Sequence, residues 1–259
     1  MQVKISIHYF SLFLNHNLAI SKPSNMRSQG KIMTHTTWNL KELRDYAKSK
    51  LSDADLVISQ IDSIDRTVGI FIYHMSTAKK LIEKIEPRDE RDQMNLIFTP
   101  ASMREQLWEI KLGIQAETQA AIHNARSIHE IFSQIGNSLL LDQPMAADRC
   151  TILSLSKRLR ESKLKNYLEE TLTSDSYQYV NSFVNTIKHR NLVKSNSHID
   201  LQEARGGIKF EEFNYNNKTY PSLWAIDVIK TVLEVKNRAI IAGPMLNSEV
   251  RNLVINGVN

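Results

Sequence analysis

The sequence predicts a mainly α-helical protein, an up-down bundle of long antiparallel helices with a small β-hairpin late in the chain. Two observations support this fold class. Apolar residues recur at alternating spacings of four and three over long stretches, which places them on one face of a helix. Glycine and proline are scarce, with 8 and 6 in 259 residues, which argues against a turn-rich β-sandwich.

An unbroken heptad pattern predicts the first long helix. Its apolar positions run from 57 to 85 at spacings of four and three. Ser52 or Asp53 can cap its start, and Pro87 ends it. A shorter helix over 39–51 is expected before it.

A second heptad pattern follows Thr99-Pro100, a capping residue with proline at the first helical position. It extends from 107 to 139, and Pro144 ends it. At 1.5 Å per residue, this helix approaches about 60 Å in length. Two such helices joined by a short loop pack antiparallel.

Shorter helices are expected near 150–160 and 162–172, and a further one begins at Ser174 or Asp175. Pro221 opens a last helix, which Gly243-Pro244 breaks, and a short helix follows over 247–254.

Between these helices the apolar period changes from helical to alternating. Residues 198–203 and 208–213 alternate apolar and polar side chains, and Arg205-Gly206-Gly207 separates them. This predicts a β-hairpin near 197–216, with the next turn at Asn216-Asn217.

The N-terminus differs from the rest of the chain. Residues 1–33 mix apolar and polar side chains without a usable period. Their apolar run is too short to span a membrane and lacks a signal-peptide cleavage site. We therefore expect a disordered or non-native extension over 1–33, with Met33 as the natural start, and a single helical domain over 34–259 that does not enter a membrane.

The composition excludes several classes of function. The 8 glycines form neither a dinucleotide fingerprint nor a phosphate-binding loop. A single cysteine, Cys150, excludes an intramolecular disulfide and Cys-rich zinc sites, and it favours the cytoplasm. No two histidines stand four apart and no Glu-x-x-His occurs, so neither a metal nor a cofactor is expected.

The net charge of +5 favours an anionic partner, and the excess is local. The segment from Arg149 to Lys165 carries six basic residues and one acidic residue. Lys157, Arg158 and Arg160 are therefore candidates for contact with a nucleic-acid backbone. The alternative interpretation is an ordinary solvated helix face.

Two polar clusters interrupt the apolar helices. The first is Asn185-Thr-Ile-Lys188-His189-Arg190-Asn191, in which Lys188 is a further candidate for binding nucleic acid. Cations also favour a helix C-terminus through the helix dipole, which is the alternative interpretation.

The second cluster contains His123 and Arg126, three residues apart in the middle of the second long helix. Partial burial between helices favours tuning of a histidine pKa, so this pair is a secondary candidate site. The alternatives are a hydrogen-bonded core histidine and a helix ion pair between Arg126 and Glu130.

The first cluster, followed by His198, resembles the HEPN superfamily of small α-helical bundles. The hallmark of that superfamily is an arginine and a polar residue late in a helix, with a histidine four to six residues further on. Here Arg190 is followed by Asn191, and seven residues separate Arg190 from His198.

The resemblance implies a metal-independent endoribonuclease or RNA-binding protein, of a toxin or antiphage-defence type. It further implies a homodimer with a composite site, and a protein partner such as an antitoxin. His198 would act as acid and base, Arg190 would hold the phosphate, Asn191 would orient the site, and His189 is a reserve base. The alternative function is a catalytically inert helical scaffold that binds a protein partner.

Overall fold

The computed structural model describes residues 38–87, 89–203 and 205–255, and the extension expected over 1–33 lies outside them. Within these ranges the chain forms eight α-helices and five short strands, which confirms the mainly helical prediction. The helices are α1 (Leu40–Lys50), α2 (Asp55–Ile85), α3 (Glu90–Ile97), α4 (Arg104–Leu140), α5 (Ile152–Arg158), α6 (Lys163–Thr173), α7 (Asp175–His189) and α8 (Ala225–Ile255). The strands are β1 (Ser195–Asp200), β2 (Arg205–Phe210), β3 (Phe213–Tyr215), β4 (Lys218–Tyr220) and β5 (Leu223–Trp224).

Helices α2 and α4 pack against each other in opposite directions. His74 of α2 lies 2.7 Å from Glu117 of α4, while Leu81, one to two turns further along α2, contacts Gly113, one turn earlier on α4. The heptad positions of α2 are buried, as the spacing predicts: Val57, Ile61, Ile64, Val68, Phe71, Met75, Ala78 and Ile82. This antiparallel pair forms the centre of the apolar core.

The ends of these helices differ from the prediction. Helix α2 begins after Ala54, which has no capping side chain, so neither Ser52 nor Asp53 caps it. Pro100 precedes a short 3₁₀ turn and does not occupy the first position of α4. Helix α3 was not predicted. It occupies much of the connection between α2 and α4, and Asp89 caps its start. Leu96 is its one buried apolar residue among those the structure describes, so it contributes little to the core.

Helix α8 overturns two predictions. The segment after Pro221 forms strand β5, so the helix begins only at Ala225. It then continues through Gly243-Pro244 to Ile255 without a break. The indole of the fully buried Trp38 lies against the backbone of Gly243, and a Cβ placed there would stand 2.2 Å from the ring. This tertiary packing offsets the cost of the backbone hydrogen bond that Pro244 removes.

Helix α1 is fastened to the far end of α8. The side-chain amide of Asn247 donates to the carbonyl oxygen of Asn39 at 2.9 Å and to Glu42 Oε2 at 2.8 Å. Arg251 lies 2.5 Å from the other carboxylate oxygen of Glu42. Side-chain hydrogen bonds therefore join the first and last described helices.

The predicted hairpin is present, but its first turn lies elsewhere. Gly206 and Gly207 belong to β2, where Gly207 pairs with His198 of β1. The turn follows Asp200, whose Oδ1 accepts hydrogen bonds from the backbone N–H groups of Gln202 and Glu203. An aspartate that receives such bonds forms a turn without glycine.

The second predicted turn is confirmed. Asn216 and Asn217 have φ angles of 48° and 61°, and they connect β3 to β4 in a two-stranded hairpin. Two consecutive left-handed residues match the twist of a tight hairpin. Strands β1, β2 and β5 form a separate three-stranded sheet in that order.

Candidate functional site

The C-terminal turn of α7 presents the first polar cluster to solvent. Ser174 caps the start of the helix by accepting from the N–H of Tyr177, and one face of the helix is buried. The N–H of Arg190 donates to the carbonyl oxygen of Thr186 at 2.9 Å and closes the last turn. Lys188, His189 and Arg190 are all exposed there. Three basic side chains therefore leave the bundle at one helix end.

Arg190 is exposed yet fixed in position. Its Nη1 donates to the carbonyl oxygen of Asn214 at 2.9 Å, and its guanidinium carbon lies 5.2 Å from the centre of the Tyr215 ring. A guanidinium has five N–H donors, so this arginine retains donors for a phosphate. Asn191, the next residue, donates from its side chain to the carbonyl oxygen of Leu192.

His198 lies in a different environment. It stands on β1 opposite Gly207, and its ring centre is 5.6 Å from that of Trp224. Arg205 and Lys209 lie over the same indole at 4.6 and 5.3 Å. His198 thus belongs to a group of three basic side chains around one buried tryptophan.

Arg190 and His198 have separate partners within one chain. Asn214, the partner of Arg190, comes after the C-terminal end of β2. Gly207, the partner of His198, lies near the start of β2. The three residues from Gly207 to Phe210 span about 10 Å of strand. The roles expected for Arg190, His198, Asn191 and His189 remain predictions.

Arg126, of the second polar cluster, joins α4 to α7. Arg126 Nε donates to Asn181 Oδ1 at 2.9 Å, and its Nη1 lies 2.9 Å from Glu130. His123 is half-buried, and burial first and the charge of Lys188 second lower its pKa. The imidazole of His123 is therefore neutral at neutral pH, as proton acceptance requires.

The basic segment lies apart from His123. Arg158 donates to the carbonyl oxygen of Gln143, and Arg160 lies 3.7 Å from Asp142, just beyond the C-terminal end of α4. The 17 helical residues from His123 to Leu140 span about 26 Å. Lys157, Arg158 and Arg160 are exposed and form a second basic surface, separate from Lys188.

Sequence reasoning missed the contacts that attach β1 to the helices. Gln115 of α4 donates to the carbonyl oxygen of Val193, and Ser195 donates to Gln115 Oε1 at 3.0 Å. The ion pair of His74 with Glu117 was also missed. These partners are 43 to 80 residues apart in sequence, so no local spacing could indicate them.

Two further observations concern the described part of the chain. It holds no group of three His, Cys, Asp or Glu side chains placed to bind a metal ion. None of its helices combines the length and the apolar character that a membrane crossing requires.

No family model matches this chain, and no curated protein or solved structure is significantly similar to it. The resemblance to the HEPN superfamily therefore depends on the residues of α7 and β1 described above.

Proposed function

We propose that this protein binds RNA at the C-terminal turn of α7. The observation that supports this most is the joint exposure of Lys188, His189 and Arg190, with Arg190 held on β3 by Asn214. An arginine already fixed in position loses little side-chain freedom when it binds a phosphate. The free, buried Cys150 supports a cytoplasmic location for this function.

Fluorescence anisotropy with a labelled single-stranded RNA tests the proposal. Arg190→Ala and Lys188→Ala should each weaken binding about tenfold and reduce the slope of log K against log salt by about 0.7. Lys48→Ala on α1 is the matched control, since Lys48 is exposed and remote in sequence from this turn. Equal binding by the wild type and Arg190→Ala would contradict the proposal.

We also propose that the bound RNA is cleaved without a metal ion, as the resemblance implies. A neutral histidine can take the proton of a ribose 2′-OH, whose oxygen then attacks the adjacent phosphorus while the bond to the 5′-oxygen breaks and water protonates that oxygen. Arg190 can stabilise the extra negative charge of the transition state. In the composite site that the resemblance implies, His198 would act from a second copy. His123, neutral and facing Lys188, is the candidate within the same chain.

A cleavage assay in EDTA distinguishes these histidines. We expect loss of activity in Arg190→Ala and in His198→Ala, with His189→Ala less affected. Activity that survives His198→Ala and is lost in His123→Ala would assign the proton transfer to His123. Absence of cleavage by the wild type would leave RNA binding as the function.

A second candidate function is protein binding at the turn between α3 and α4. Phe98 is 70% exposed and Trp108 is 63% exposed, and exposed apolar surface of this kind marks interaction sites when it is contiguous. We propose a second copy of this chain as the partner. Sedimentation should show a dimer for the wild type and a monomer for Phe98→Glu. A wild-type monomer at micromolar concentration would contradict this.

A further inference from the structure

A cleft of about 460 Å³ opens beside the β3–β4 hairpin. Its walls come from the start of α7, from β4 with the segment after it, and from α8. Tyr179, Tyr220, Pro221 and Leu223 contribute apolar surface, while Asp175 and Glu234 add carboxylates. Lys218 adds a cation to the lining. Sites for small ligands have volumes of about 300–1,000 Å³.

The polar groups of this cleft are incompletely used. Glu234 Oε1 accepts from Ser176 at 2.9 Å and from Arg238 at 3.1 Å, while Oε2 accepts no hydrogen bond from the residues that the structure describes. Asp175 is exposed at the first position of α7. Both carboxylates are therefore open to a ligand that donates hydrogen bonds.

Tyr179 is a second, independent sign of an absent partner. The residue is only 4% exposed, yet its buried hydroxyl has no hydrogen-bond partner among the described residues. A buried hydroxyl without a partner costs free energy, so such groups are rare in folded proteins. Burial raises the pKa of Tyr179, so the phenol stays protonated and remains a donor.

The cleft and Arg190 lie on the same small hairpin. Arg190 is bound to Asn214 of β3, and Asn214 Oδ1 accepts from Thr219 of β4, whose side chain lines the cleft. Neighbouring strands are about 4.8 Å apart. A phosphate at Arg190 and a ligand in the cleft would therefore be separated by about the width of the hairpin.

We propose that the cleft binds a guanine base of the RNA whose phosphate contacts Arg190, an inference that rests on the proposed function. The Watson–Crick edge of guanine presents two adjacent donors, which the free oxygens of Glu234 and Asp175 accept. Its flat faces fit the apolar walls, and the buried phenol of Tyr179 can donate to a ring acceptor once a side-chain shift exposes its hydroxyl. Unpaired bases of RNA are commonly recognised in this way, by stacking and by hydrogen bonds to their edges.

Calorimetric titration with GMP, AMP, CMP and UMP tests the inference. GMP should bind at least about tenfold more tightly than the other three, and Glu234→Gln and Tyr179→Phe should each weaken it about tenfold. Glu249→Gln, on the same helix, and Tyr46→Phe, on α1, are matched controls because neither residue lines the cleft. Circular dichroism melting verifies that each variant folds.

Equal affinities for all four nucleotides, absence of GMP binding, or unchanged binding by Glu234→Gln would overturn the inference. The RNA-binding assay with Arg190→Ala separates this failure from failure of the proposed function. Binding of RNA without binding of GMP removes only the guanine site. Binding of GMP without binding of RNA contradicts the proposed function and limits the cleft to free nucleotides.

Discussion

The indole of Trp38 lies directly on the backbone of Gly243, in the middle of α8. A Cβ at this position would stand 2.2 Å from both Cγ and Cδ2 of the ring. Trp38 also lies against Phe132 of α4, with ring centres 5.7 Å apart. One tryptophan thus joins the start of the described chain to its central and last helices.

Gly243→Ala should therefore destabilise the protein. The added methyl group must displace a fully buried indole, and overpacking of this kind lowers the free energy of unfolding by about 2 kcal/mol. Urea denaturation measures the change. Gly69→Ala is the matched control, since Gly69 is an exposed helical glycine with nothing within 4 Å of an added Cβ. It should raise stability by about 0.5–1 kcal/mol.

His129 should make the protein sensitive to mild acid. Burial lowers its pKa from 6.5 to about 4, and its Nε2 donates to the carbonyl oxygen of Val235. Its contribution is complete above pH 6.5, the pKa in the unfolded chain. As the pH falls from 6.5 to 4, the unfolded chain takes up a proton that the folded chain excludes, which costs about 3 kcal/mol.

Measured unfolding free energies at several pH values test this. The His129→Gln variant should lose about 3 kcal/mol less than the wild type between pH 6.5 and 4. His189→Gln, at an exposed position, should follow the wild type. Parallel curves for the wild type and His129→Gln would show that His129 is not the source of the acid sensitivity.

Cys150 should react slowly with thiol reagents in the folded protein. Its Sγ donates to the carbonyl oxygen of Ser133 at 3.3 Å, and burial raises the pKa of the thiol. Both effects lower the amount of accessible thiolate, which is the reactive form. Labelling should accelerate at least about tenfold above the urea midpoint. The double variant Cys150→Ser, Ser52→Cys carries its thiol at an exposed site. It should react rapidly at every urea concentration.

The hydrogen bond between His74 Nδ1 and Glu117, which is an ion pair when the imidazole is protonated, should contribute modestly to the packing of α2 against α4. Its side chains are 25% and 24% exposed, so solvent screens their attraction only in part. A double-mutant cycle with His74→Ala and Glu117→Ala should give a coupling free energy of about 0.5–1 kcal/mol at low salt. A coupling near zero at both low and high salt would show that shape alone sets this pairing.

The heptads of α2 and α4 were predictable because burial in a helical pair imposes a period that the sequence displays. The continuity of α8 was not, because it depends on Trp38, more than 200 residues from Gly243. The glycines at 206 and 207 were misassigned for a similar reason. A Cβ at Gly206 would stand 2.8 Å from Pro87, and Gly207 has a φ of 155° that other residues rarely adopt, so only the assembled fold shows why glycines stand within a strand there.

The candidate site was predictable only in part. The helical spacing showed that α7 ends in a basic turn, and the structure places Lys188 and Arg190 there. The hydrogen bond of Arg126 with Asn181 depends on how α4 packs against α7, which no local pattern encodes. The basic segment is distant from His123 because the two lie at different points along the long helix α4, and only the fold shows this.

The attachment of Glu42 to Asn247 and Arg251 has a consequence for synthesis of the chain. These partners are 205 and 209 residues apart, so α1 has no binding surface on α8 until the last helix has left the ribosome. The antiparallel pair of α2 and α4 is complete much earlier. Helix α1 can already pack on α2 at that stage, where Arg44 forms an ion pair with Asp62. We therefore expect nascent chains that end before residue 240 to hold a folded α2–α4 hairpin while the face of α1 that contacts Asn247 and Arg251 stays exposed.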